Sequence, residues 1–194
     1  NSGSGASITP DTTAPTVKSI SPTDSTTGVS VTNTISVTFS EKILTSTITA
    51  QSSDGTCSGS FQVSADNFTT CLGGTLVSTA NPVFTFTVNP NMCVGNSYKV
   101  RITTSAKDEA GNAIAAAYTS TGFSTQNPIV GTGANNEIYS FAKYCNTLFV
   151  GGSFATLGGQ ARSSIGSIDL LTGATTSWNP ATDSAVYALA LSGT

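Results

Sequence analysis

The residues of this chain that are best suited to bind a metal ion lie in one short segment, Asp108-Glu109-Ala110-Gly111-Asn112. Asp108, Glu109 and Asn112 carry the carboxylate and amide oxygens that calcium prefers. A calcium site takes about six to eight oxygens, which is more than one turn supplies. The remaining ligands would have to come from other acidic residues, for which the candidates are Asp24, Glu41 and Asp66.

The same segment has a simpler explanation as a tight turn. Asp, Gly and Asn are typical turn residues, and Gly111 or Asn112 suits a position with positive φ. We therefore predict no metal site and no cofactor, and we keep calcium at Asp108, Glu109 and Asn112 as the alternative.

Catalytic groups of the common kinds are scarce. The chain contains no histidine, which removes histidine-dependent triads, histidine-ligated zinc and an imidazole pH switch. Its ten acidic residues are spread over predicted loops, where chance neighbours are expected and the paired carboxylates of a glycosidase are not indicated. We therefore predict that the chain is not an enzyme.

Four cysteines, Cys57, Cys71, Cys93 and Cys145, allow three fully paired connectivities. None forms a C-x-x-C motif, so zinc or thioredoxin-like chemistry is not indicated. Cys57 and Cys71 flank a predicted strand and turn, and we expect them to form a disulfide. Cys93 and Cys145 then either pair with each other or remain small buried apolar residues.

Composition favours a β protein outside the cytoplasm. Charged residues are only 9% of the chain, and Ser, Thr, Gly and Asn supply most of its polarity. Four cysteines without a C-x-x-C motif are typical of proteins from an oxidising compartment. The seven basic residues are scattered, so nucleic-acid binding is not expected. No apolar run approaches the ~20 residues of a membrane span. The Ser/Gly-rich start resembles a tether. It fits a secreted chain or one that is lipid-anchored upstream of Asn1, and an artificial start explains it equally well.

Short strands separated by turn signals fill residues 14–125. Apolar residues alternate at Ile35, Val37 and Phe39, and the strongest strand, residues 83–88, lies between two Asn-Pro pairs. Residues 98–102 alternate in the same way, and residues 118–125 give a closing strand. About seven strands in this length predict an all-β sandwich.

A different pattern begins after residue 130. Ile138-Tyr139-Ser140-Phe141-Ala142 returns 48 residues later as Val186-Tyr187-Ala188-Leu189-Ala190. A period of about 50 with four short strands is typical of a propeller blade. The strands are predicted at residues 138–143, 147–151, 164–169 and 174–178. One blade leaves its faces uncovered, so we expect a piece of a longer repeat protein.

Four motifs of the first region are shared with a known family. They are Ala14-Pro15-Thr16-Val17, Ile35-Ser36-Val37-Thr38-Phe39-Ser40-Glu41, Gly95-Asn96-Ser97-Tyr98 and Ala106-Lys107-Asp108-Glu109-Ala110-Gly111-Asn112. With these motifs the region resembles the bacterial Ig-like domain found in S-layer and other surface proteins. The resemblance covers residues 14–125. It implies a Greek-key sandwich on a secreted or surface-anchored protein, and it implies no catalytic residues.

The second region resembles bacterial propeller repeats. The residues that carry this are Leu148-Phe149-Val150-Gly151-Gly152-Ser153-Phe154, Gly158-Gly159-Gln160-Ala161-Arg162, Leu171-Thr172-Gly173 and Trp178-Asn179-Pro180. In such repeats the paired glycines let chain segments pass closely, and the tryptophan packs between blades. Cys145 departs from its own repeat, which fits a disulfide made for a local purpose.

Together these patterns predict a flexible tether at residues 1–13, an Ig-like sandwich at 14–125, a linker at 126–137 and one propeller-type blade with the start of a second at 138–194. The predicted function is a non-enzymatic adhesion or structural module that spaces and presents a binding surface at the cell exterior. Its partner would be a protein or a glycan. The alternatives are an accessory module of a secreted polysaccharide-degrading enzyme, and a subunit of a surface filament or layer that associates through blade edges.

Overall fold

A computed structural model describes residues 9–131 and 133–192 of the chain. Residues 1–8 of the predicted tether, Thr132 of the predicted linker and residues 193–194 of the second repeat copy lie outside this description. The chain divides into two compact units. The first comprises residues up to Asn91 together with Ser97–Ser124, and the second comprises Met92–Asn96 together with the chain from Thr125 onwards.

The described residues of the first unit, from position 9 onwards, contain ten strands and one 3-10 turn at Thr45–Thr47. The strands are β1 (Val17–Ser21), β2 (Ile35–Phe39), β3 (Gly55–Thr56), β4 (Phe61–Ser64), β5 (Thr70–Cys71), β6 (Gly74–Ala80), β7 (Val83–Val88), β8 (Ser97–Ile102), β9 (Tyr118–Thr119) and β10 (Phe123–Ser124). One sheet has the order β1-β2-β7-β6, and the other has the order β10-β8-β4 with β9 also paired to β8. Strands β3 and β5 form a separate ribbon, and all recorded pairs are antiparallel.

The two larger sheets face each other across an apolar core. Alternation along β2 buries every second side chain, as expected when one face of a strand meets a core. The rings of Phe61 on β4 and Phe86 on β7 lie 5.5 Å apart and join the two sheets. Each sheet also contributes an aromatic pair of its own to this core. Phe39 packs against Phe84 in the first sheet, and Tyr98 packs against Phe123 in the second. The first unit is therefore an all-β sandwich, as the turn and strand pattern predicts.

Two predicted strands of this unit differ from the structure. The closing strand is broken into β9 and β10 because Gly122 takes φ 107° and approaches the backbone of Tyr98, where a Cβ would lie 2.7 Å from the carbonyl oxygen. The apolar residues Ile48 and Ala50 alternate in the sequence and predict a further strand, which the structure does not contain. The chain there makes the 3-10 turn and then a single bridge from Ala50 to Gly59.

The second unit is built on an antiparallel meander. Its strands are β11 (Ile138–Tyr144), β12 (Thr147–Gly152), β13 (Thr156–Leu157), β14 (Gln160–Ala161) and β15 (Ile165–Asp169). The sheet order is β11-β12-β15, and β13 and β14 form a small hairpin. A bridge from Ile168 to Thr175, with Thr176 N donating to Ser167 O, adds a short fourth segment beside β15. Three of the four predicted strands are thus present, and the fourth is reduced to this bridge.

The two faces of the β11-β12-β15 sheet carry different side chains and pack against different parts of the chain. Cross-strand partners share a face, so Val150 lies with Phe141 and Gly166, whereas Phe149 lies with Ala142 and Ser167. The Val150 face packs against the chain between β12 and β15, and the core cluster there consists of Val150, Phe154, Leu157 and Ile168. The opposite side, which we call the Phe149 face, carries Ser140, Tyr144, Phe149, Gly151 and Ser167.

Candidate functional site

The predicted turn at residues 108–112 forms around a buried carboxylate. Asp108 is 1% exposed. Its Oδ1 accepts a hydrogen bond from Asn112 N at 2.7 Å, and its Oδ2 accepts one from Asn112 Nδ2 at 2.8 Å. Gly111 takes φ 97° and donates its N–H to Asp108 O. The positive φ predicted at Gly111 or Asn112 therefore lies at the glycine, and Asn112 donates to the aspartate.

Asp108 is joined by two carboxylates from distant parts of the chain. One oxygen each of Asp11, Glu41 and Asp108 lies within 4.8 Å of the others. Oxygens that share one calcium ion at about 2.4 Å lie no further apart than about this distance. Asn112 Nδ2 also donates to Asp11 O, which holds the N-terminal segment against the turn. The three carboxylates are thus close enough to share a cation, although two of Asp108's acceptor positions already receive hydrogen bonds from Asn112.

The electrostatics of this acidic cluster differ from residue to residue. Partial burial raises the pKa of the Glu41 carboxyl above its usual value, and the nearby charges of Asp11 and Asp108 raise it further. Burial acts in the same direction on Asp108, but the hydrogen bonds from the side chain and backbone of Asn112, together with those from the backbone of Gly111 and Ala110, outweigh it and lower the pKa of Asp108. At neutral pH the charged carboxylate of Glu41 is therefore repelled by the carboxylates of Asp11 and Asp108.

The other residues considered for calcium lie elsewhere. Glu109 is exposed and is not one of the three converging carboxylates. Asp66 accepts hydrogen bonds from Ser64 Oγ and from the side chain and backbone of Thr70, and Asp24 accepts one from Gly122 N. Sequence reasoning missed Asp11, because it assigned this residue to a flexible tether. No local motif could have indicated the contact, since Asp11 and Asp108 are nearly a hundred residues apart.

Two disulfide bonds join the four cysteines. Cys57 pairs with Cys71 across the β3–β5 ribbon, and Cys93 pairs with Cys145, with sequence separations of 14 and 52 residues. The second bond attaches the segment Met92–Asn96 to the turn between β11 and β12, and all of these residues belong to the second unit.

Hydrogen bonds reinforce this attachment. Asn146 Oδ1 accepts from Val94 N at 2.8 Å, Asn146 Nδ2 donates to Met92 O, and Lys143 Nζ donates to Val94 O at 2.8 Å. Cys145 therefore forms a bond local to the second unit.

The second unit exposes a series of large apolar side chains. They lie on β11 and in the segment after β15: Ile138, Tyr139, Phe141, Tyr144, Trp178, Tyr187 and Leu191. The ring of Trp178 meets Phe149 edge-on at 5.1 Å, and the rings of Tyr139 and Tyr187 are stacked at 5.0 Å. Exposed aromatic surface of this kind is typical of sites that bind other molecules.

Open recesses in the two units are lined mainly by small polar residues. One in the first unit, about 480 Å³, includes Gln51 and Asp54, and one in the second unit, about 420 Å³, includes Asn135 and Asp183. Each of these two recesses contains a single carboxylate, so neither provides the acid pair that glycoside hydrolysis requires. The described part of the chain also has no helix long and apolar enough to cross a bilayer.

Comparison with known families identifies the first unit. Residues 11–125 match the family model described as the bacterial Ig-like domain. The match covers more than half of the chain, and the chain therefore belongs to this family. No match was found among curated proteins.

Solved structures with some likeness to the chain include bacterial S-layer proteins. The N-terminal part of the S-layer protein SbsC is 18% identical with a TM-score of 0.42, over 71% of this chain and 31% of that one. The structure of rSbsC(31-844) is 21% identical with a TM-score of 0.40, over 71% of this chain and 18% of that one. This chain thus spans less than a third of the length of either structure.

Proposed function

We propose that this chain is a non-catalytic structural module of a bacterial cell-surface or secreted protein. In this proposal the sandwich acts as a spacer, and the second unit, a propeller-type repeat, presents a binding surface. The single observation that carries the proposal is the membership of residues 11–125 in the bacterial Ig-like family.

The two disulfides support a location outside the cytoplasm. Disulfides persist in oxidising compartments and are rare where thiols are kept reduced. All four cysteines lie in the described part of the chain, and none of them is free there. The low content of charged residues is compatible with such a setting, and the chain offers no basic cluster that would direct it to nucleic acid.

The absence of histidine and the placement of the acids support a non-catalytic role. Asp66 and Asp108 are occupied by hydrogen bonds to their own loops, which is a structural use of a carboxylate. The partner of the module would be a protein or glycan that meets exposed aromatic residues such as Phe141 and Tyr187 of the second unit.

The location is tested in the organism that produces the protein. Antibodies against the chain should label intact cells or culture medium, and its cysteines should resist alkylation until a reductant is added. Recovery from the cytosol with four reactive thiols would refute the proposed setting. Screens against common glycans and peptides should detect no hydrolysis, and turnover by the purified chain would refute the non-catalytic role.

A second candidate is a subunit of a surface layer or filament. The observation that favours it is the exposure of apolar side chains on β11, including Ile138 and Phe141, on the edge strand of an open sheet. Light scattering over a range of concentrations tests it, because a layer subunit should grow in mass and a simple spacer should remain monomeric.

A further inference from the structure

The two copies of the repeated motif have different surroundings in the second unit. The second copy, Val186-Tyr187-Ala188-Leu189-Ala190, lies on the Phe149 face of the sheet built by the first copy. Val186 N donates to Gly152 O at 2.9 Å. The side chain of Val186 rests over Gly151, where a Cβ would come within 2.7 Å of Val186 Cγ1.

The contact continues along the motif. The ring of Tyr187 stacks on that of Tyr139 with an angle of 12° between the planes. Further on, Ala190 and Leu191 line a recess with Tyr144 and Phe149. The motif of the second copy thus packs against the Phe149 face of the sheet. It can approach that face closely because Gly151 has no side chain.

The first copy of the motif has no such receptor among the described residues. Ile138 and Tyr139 occupy the positions of Val186 and Tyr187, and they are 47% and 41% exposed. Tyr187 covers Tyr139 from one side, and Ile138 stands at the start of the edge strand. Ile138 is therefore exposed where its equivalent Val186 contacts a sheet face, and Tyr139, although stacked on Tyr187, also stays partly exposed.

We propose that Ile138 and Tyr139 on β11 form a docking surface for one kind of partner, a further unit of this same repeat whose Phe149 face is free. The contact repeats the one that the second copy makes within the chain: Ile138 lies over the partner's glycine at the position of Gly151, and Tyr139 stacks on the partner's equivalent tyrosine. Such a contact is head-to-tail, since the docking motif and the receptor face are different surfaces of one unit. A row of units would then form a continuous column of stacked tyrosines.

Two complementary forms of the full chain test this. The acceptor carries Val186→Asp and Tyr187→Ser, which remove the second copy from the Phe149 face. The donor carries Trp178→Phe and keeps β11 intact. Because Trp178 is the single tryptophan of the chain and meets Phe149, its emission in the acceptor reports what covers that face.

Adding donor to acceptor should shift the Trp178 emission to shorter wavelength in a saturable manner, and the mixture should sediment as a one-to-one complex. Donor with Ile138→Ser and Tyr139→Ser should bind at least about tenfold more weakly, since an aromatic stack and an apolar side chain are lost. Donor with Val77→Ser, which alters an exposed valine on the sandwich, serves as the matched control and should bind like the parent donor.

The proposal is overturned if a folded acceptor gives no shift and no complex, or if the β11 variant binds as well as the control. Wild-type chain in place of the acceptor should not respond, because its face is already covered, and an equal response there would also refute the docking mode. If the acceptor loses its β circular-dichroism spectrum, Val186→Ala with Tyr187→Ser replaces it, since this pair removes the Val186 Cγ1 contact with Gly151 and the tyrosine ring without placing a charge on the face.

Discussion

Val186 Cγ1 would lie 2.7 Å from a Cβ placed on Gly151, so the second repeat motif can reach its sheet only because that position has no side chain. We expect Gly151→Ala to destabilise the second unit by about 1–3 kcal/mol, the usual cost of overpacking a filled site. Denaturant unfolding followed by Trp178 fluorescence measures this.

A second substitution separates this steric effect from a general one. Because Val186 supplies the nearest atom, Gly151→Ala combined with Val186→Ala should recover most of the loss. Gly133→Ala, at a position where a Cβ meets nothing within 4 Å, should be close to neutral. A double variant no more stable than Gly151→Ala would show that another contact limits this position.

The two disulfides should contribute unequally. Because the loop closed by Cys93 and Cys145 is longer, replacing both with alanine should cost about 4 kcal/mol, against about 3 kcal/mol for Cys57 and Cys71, on the chain-entropy model. Non-reducing peptide mapping establishes the pairing, and unfolding of the two double variants gives the costs. An unchanged free energy of unfolding in either variant would contradict its predicted contribution.

Asp66 should make the first unit sensitive to strong acid. Its hydrogen bonds with the side chain and backbone of Thr70, and with Ser64, lower its pKa from 3.8 to about 2. The folded state then binds this proton more weakly than the unfolded state, so the contribution is complete above about pH 5 and is lost progressively as the pH falls through 3.8 towards 2. NMR titration of the Asp66 carboxyl should give this midpoint.

The matched variants are Asp66→Asn and Glu109→Gln. The first should lose part of the acid dependence of unfolding between pH 4 and pH 2, whereas the second, at an exposed carboxylate, should follow the parent. Identical pH profiles for parent and Asp66→Asn would exclude the role assigned to these hydrogen bonds.

The carboxyl of Glu41 should affect the pH dependence of stability in the opposite direction to that of Asp66. Its pKa is raised by partial burial and by Asp11 and Asp108, so its charge destabilises the folded state above that pKa and the penalty is relieved as the pH falls through it. Glu41→Gln should therefore be more stable than the parent at pH 7, and the difference should shrink in acid. Thermal unfolding at the two pH values measures both.

The Glu41→Gln variant also tests whether the cluster of Asp11, Glu41 and Asp108 binds a metal ion. We predict that EDTA leaves the melting temperature of the parent unchanged, in keeping with the turn interpretation of residues 108–112. A rise with calcium in the parent that is absent in Glu41→Gln would instead assign a cation to the acidic cluster.

The sequence was most informative where burial is periodic. Strands β2, β7 and β8 follow the predicted alternation because one face of each meets the sandwich core. Strand β6 was missed: its exposed edge position imposes little apolar alternation, and its burial pattern is mostly solvent-facing. The β13–β14 hairpin was also missed, although Gly158 and Gly159, both at positive φ, mark its turn.

The acidic cluster could be predicted only in part. Asp108 and its turn have a local signature, since Asp, Gly and Asn are recognisable turn residues. The approach of Asp11 and Glu41 depends on how the N-terminal segment and the chain after β2 meet that turn, and contacts so distant in sequence leave no periodic signal. The prediction therefore named Glu109, the sequence neighbour, where the structure brings Asp11.

The bond between Cys93 and Cys145 encloses the whole stretch from β8 to β11. A protease that nicks the chain once between these cysteines, for instance in residues 126–137, produces two fragments that stay covalently joined. Release of the residues after the cut therefore requires a reductant as well, and a digest would show intact mass on a non-reducing gel.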